Sequence, residues 1–130
     1  MKIPILQLGR LLITSVQEDL TDQAAMDLQD ALLRRAQTTD ADGVVIDVSG
    51  MDVVDSFLAR VLNDTAQMVT LLGARVVICG IRPAVAVTLV EMGRGLIGVE
   101  TALDLEQGVS LLTKEHRVSS PLATGTGEGS

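Results

Sequence analysis

Aromatic residues are nearly absent from this chain. Phe57 stands alone, with no Trp and no Tyr, which removes the stacking platforms used by proteins that bind single-stranded nucleic acid. Cysteine is as scarce. Cys79 is the only one, so neither an intrachain disulfide nor a cysteine metal cluster can form, and within Val76-Val77-Ile78-Cys79 it reads as a buried, inert thiol. His116, the single histidine, falls where the last predicted helix gives way to the tail, so a Ser-His nucleophile pair is not expected. Basic charge is short as well. Ten Lys and Arg face 17 Asp and Glu, a net charge of −7, and the basic residues are dispersed. A surface of that kind does not neutralise a phosphate backbone or hold an anionic membrane. No apolar run approaches the roughly 20 residues that cross a bilayer, and Lys2, Pro4, Gln7, Gly9 and Arg10 interrupt any signal-peptide pattern at the N-terminus. A cytoplasmic protein with no nucleic-acid or membrane partner is expected.

What the sequence does hold is a core. Hydrophobic residues make up 47% of 130, enough for one domain. Ile3–Leu8 and Leu11–Val16 flank Gly9-Arg10 and predict a hairpin, with Pro4 at an edge or strand start. Thr21 caps a helix over 22–38, whose Ala25, Leu28, Leu32, Leu33 and Ala36 share a face. Val44–Ile46 reads as a buried strand, and Arg75–Cys79 as a second one parallel to it because a whole helix intervenes. Pro83 and Gly93 bracket a further helix. Val99–Leu103 is a brief strand, and Asp104 with Gln107 forms a capping box for a last helix through Glu115. Gly93, Gly95 and Gly98 follow a helix instead of opening one, and no Walker lysine is present, so they do not form a dinucleotide fingerprint. From Arg117 onward Ser, Thr, Gly and Pro dominate, which predicts disorder.

The chemistry of interest gathers between the central strand and the next helix. Asp47, Ser49 and Gly50 break the apolar pattern, so a turn is expected there, with Asp47 hydrogen-bonding local N–H groups. Asp52 and Asp55 follow, and from Ser56 the apolar residues recur at helical spacing through Leu72, with Gly73 ending the helix. A hydroxyl at a helix start lies beside unpaired N–H groups and the positive end of the helix dipole, which favour an anion. Spacing alone leaves Ser56 either as a modification site or as a capping residue beside Asp55.

The run Asp47-Val48-Ser49-Gly50, then Asp55-Ser56 and Val61-Leu62, resembles the signature of STAS domains, the sulfate transporter and anti-sigma factor antagonist family. Typical members follow the Asp-Ser pair with a small residue and glycine. Here Phe57 and Leu58 stand there, and Asp55-Ser56-Phe57-Leu58-Ala59-Arg60-Val61-Leu62 is most similar to the small scaffold proteins of bacterial stressosomes. The resemblance implies a STAS domain over residues 1–116 and a tail over 117–130. Alternating strands and helices after the initial hairpin themselves imply an α/β fold, a mixed sheet of about four to five strands with an N-terminal hairpin and about four helices, and the family's order of elements fits it. The resemblance further implies a non-catalytic scaffold without cofactor or metal that sequesters a GHKL-type serine kinase, releases it when Ser56 is phosphorylated, and thereby activates a sigma factor. A phosphoserine phosphatase resets such systems, and paralogous STAS proteins join the same homo- and hetero-oligomeric assembly. Asp52, Asp55, Phe57 and Arg60 are the expected partner contacts, with Asp47, Ser49 and Gly50 stabilising the turn.

Two alternatives stay open. One is a free anti-sigma factor antagonist that binds a kinase-type anti-sigma factor. The other is a receiver-like module, in which Glu18, Asp19 and Asp47 bind magnesium and Asp47 accepts phosphate. A receiver also expects a lysine after a late strand, and only Lys2 and Lys114 exist.

Overall fold

The computed structural model describes residues 3–17, 20–91 and 99–119, with side chains in the last helix as far as Thr113. Strand β1 (Ile5–Leu8) pairs antiparallel with β2 (Leu11–Gln17), and Thr14 Oγ1 donates to the Pro4 carbonyl at 3.1 Å. Strands β3 (Gly43–Gly50), β4 (Arg75–Cys79) and β5 (Glu100–Ala102) then add in parallel, giving one five-stranded sheet in chain order. The expected hairpin, parallel centre and α/β class are all present.

Alternation divides the strands between two helical layers. Leu12, Val16, Val44, Ile46, Val48, Val76 and Ile78 turn to the face covered by α1 (Asp22–Thr38), α2 (Ser56–Leu71) and α3 (Pro83–Glu91), in the larger of two core clusters. Val45, Val77 and Cys79 turn the other way and pack with Leu112 of α4 (Leu105–Ser119). Thr21 caps α1 through Oγ1, which accepts from the Ala24 N–H at 3.0 Å. Gly73 (φ +99°) follows the end of α2, as expected.

Two boundaries differ from the sequence reading. Strand β3 does not stop at Ile46 but runs to Gly50, because its backbone ladder continues through Ser15↔Asp47 and Gln17↔Gly50 while Val48 still alternates into the core. Polar side chains at a sheet rim do not end a strand whose neighbours keep its N–H and C=O groups paired. Helix α4 continues beyond Glu115 and Arg117 to Ser119. The glycines at 93, 95 and 98 and the tail over 120–130 lie outside the described residues.

Candidate functional site

Five residues carry the chain from the end of β3 to the start of α2, and two of them anchor it. Met51 and Val54 are buried in the core, so Asp52, Val53 and Asp55 are turned to solvent. The acidic turn is therefore held from beneath by apolar packing. At the end of β3 Asp47 Oδ1 accepts from the Ser49 N–H at 3.0 Å, and the Met51 N–H, where the turn begins, donates back to the Val48 carbonyl at 3.0 Å.

Asp55 is the N-cap of α2. Its Oδ1 accepts from the Leu58 N–H at 2.8 Å. The cap is thereby filled by a carboxylate, and Ser56, the first helical residue, is exposed. Its hydroxyl is not spent on starting the helix. Phe57 is exposed, at 41%, and Arg60 is exposed one turn further on. Leu58, Ala59, Val61 and Leu62 are buried and fix the helix on the sheet.

The structure adds a residue that spacing did not single out. Arg82, in the β4–α3 loop, donates from Nε to the Ser49 carbonyl at 3.0 Å and pairs through a terminal nitrogen with Asp52 Oδ1 at 2.9 Å. Gly80 (φ +74°) lies against the same turn. A Cβ there would stand 2.7 Å from Ser49 Cβ and 3.0 Å from both Ser49 N and Asp47 Oδ1. Two loops at the carboxyl rim of the sheet are thus in contact. Only a parallel β3–β4 pair brings Gly80-Ile81-Arg82-Pro83 to the same rim as Asp52, and that pairing was the signal available in the sequence.

Other sequence candidates fall elsewhere. Of the magnesium triplet, Glu18 and Asp19 lie outside the described residues, as does the side chain of His116. Among the described residues no group of three or more His, Cys, Asp or Glu could hold a metal ion. Cys79 is buried, and its thiol is pushed up to about 11 by loss of water and by the carboxylates of Asp47 and Asp104. A cavity of about 590 Å³ opens at the opposite end of the sheet, between Leu8, Arg10, Leu11, Asp42, Arg75 and Leu112. Among the described residues, no helix is long and apolar enough to cross a membrane.

Residues 2–104 match the family model of the STAS domain. The chain belongs to the STAS family. A serine-to-glutamate variant of RsbS from Moorella thermoacetica is 39% identical, with a TM-score of 0.81 over 88% of this chain and 97% of that one. A chain from a study of the molecular architecture of the stressosome, a signal integration and transduction hub, is 40% identical, with a TM-score of 0.79 over 88% of this chain and 99% of that chain. The RsbT co-antagonist protein RsbRA of Bacillus subtilis (strain 168) is 38% identical over 66 residues, 51% of this chain and 24% of the relative. The aligned part spans about a quarter of that relative's length. This STAS domain is thus similar to RsbS and RsbR proteins, within a regulatory family that is generally non-catalytic.

Proposed function

We propose that this STAS protein is a non-catalytic scaffold and regulatory subunit of a bacterial stressosome. It holds a GHKL-type serine kinase and releases it when Ser56 is phosphorylated, with activation of a sigma factor downstream. Paralogous STAS proteins co-assemble with it, and a phosphoserine phosphatase restores the hydroxyl. The observation that carries this reading is the division of labour at the start of α2. Asp55 caps the helix, which leaves the exposed Ser56 hydroxyl available to a kinase. Asp47, Asp52 and Asp55 already surround the junction with carboxylates, and phosphate adds about −1.5 to −2 charges more. The change is electrostatic, at a surface whose backbone is fixed by Met51, Val54 and the cap. Asp52, Asp55, Phe57 and Arg60 are the residues a docked kinase would touch.

The test is phosphorylation by a purified stressosome-class GHKL kinase with ATP. Acid-stable label is expected on Ser56, to be absent from Ser56→Ala, and the phosphorylated protein is expected to lose the kinase in a pull-down. Label that persists in Ser56→Ala would overturn the reading. Acid-labile label on Asp47 after treatment with a small phosphodonor and magnesium would point instead to the receiver-like alternative.

A further inference from the structure

We infer that Arg82 is a positioning residue for the Ser56 site, a clamp that holds the acidic turn in the form a kinase reads; this rests on the function proposed above. The guanidinium makes two bonds to one turn from a different loop, Nε to the Ser49 carbonyl at 3.0 Å and a terminal nitrogen to Asp52 at 2.9 Å. The two acceptors lie on either side of Gly50-Met51, so Arg82 spans the bend between strand and turn. A planar fork suits this geometry, because two donors held in one plane reach a carbonyl and a carboxylate together, which a lysine cannot reproduce.

The ion pair alone would contribute little, since both partners are more than half exposed, at 55% and 59%, and solvent screens such pairs. Its effect is local. Among the described residues the turn is held by the Met51 and Ser49 hydrogen bonds, its two apolar anchors and the Asp55 cap, while Gly80 brings the β4–α3 loop against Ser49 at a separation no side chain would allow. Arg82 thereby closes the open side of the turn. It also places a cation in the carboxylate-lined junction beside Ser56, paired with Asp52, while the Asp55 carboxylate caps the helix N–H groups.

Two readouts test the clamp. Hydrogen exchange needs no kinase. In Arg82→Ala, the amides of Ser49 and Met51 are expected to exchange about tenfold faster, with those of Val44–Ile46 unchanged. Steady-state phosphorylation of Ser56 supplies the second readout. Arg82→Ala is expected to raise KM for the STAS protein about fivefold with kcat within twofold of the parent, and Arg82→Lys to fall between the two. Unchanged exchange at Ser49 and Met51 or an unchanged KM would each overturn the clamp. A parent protein that takes no label on Ser56 would sink the proposed function instead, and exchange would still decide the clamp.

Discussion

Asp55 and Ser56 are adjacent, and the sequence cannot separate their tasks because either side chain can cap a helix. The structure separates them by one hydrogen bond, from the Leu58 N–H to Asp55. Asp55→Ala is therefore expected to lower stability by about 1 kcal/mol, whereas Ser56→Ala changes it by less than about 0.5 kcal/mol; thermal unfolding of the two variants checks the order. Helical spacing alone marks Phe57 as a core residue while its neighbour Ser56 marks a surface, and the structure leaves the ring exposed, at 41%. Cys79 was plain from its apolar run. Its thiol ionises near 9 when unburied and at about 11 in the fold. Between those values the unfolded chain loses the proton and the folded one keeps it, so the unfolded state binds fewer protons and stability falls as pH rises. Urea unfolding from pH 8 to 11 is expected to show that decline, and Cys79→Ala to flatten it.

Elements were legible where periodicity and punctuation agreed. Pro83 decided a segment that alternates like a strand and repeats like a helix, and α3 begins there. Strand β3 reads short in the sequence because Asp47 and Ser49 look like a turn, while the ladder that continues past them belongs to Ser15 and Gln17 of another strand. Long-range pairing of that kind leaves no local trace. The contact between the β3–α2 and β4–α3 loops is likewise tertiary, and Gly80 measures it. Gly80→Ala meets both an unfavourable φ of +74° and the 2.7 Å approach to Ser49 Cβ, and is expected to cost about 2 kcal/mol or more. Gly73→Ala is the control, with φ +99° and nothing within 4 Å of the added carbon; a cost of about 1 kcal/mol is expected from backbone strain alone. Equal losses of melting temperature in the two variants would show that the loop contact contributes nothing.

At the scale of the whole molecule, alternating strands and helices announced the α/β class, and the order of the strands placed Ser56 and Arg82 on one rim without any local motif for Arg82. The same scale decides how a phosphate would act. The chain already carries a net charge of −7, and the buried Met51, Val54 and Leu58 leave the junction little freedom to rearrange. A phosphate on Ser56 is therefore expected to work through charge with the backbone in place. Far-UV circular dichroism of the phosphorylated and unmodified proteins should then superimpose. Their difference in affinity for the kinase should shrink as salt rises, since the screening length falls from about 10 Å at 0.1 M to about 3 Å at 1 M. Titration calorimetry at the two salt concentrations measures it. An affinity difference that stays constant while the spectra diverge would mean that phosphate reshapes the turn, and the rigid surface argued from its anchors and cap would have to be abandoned.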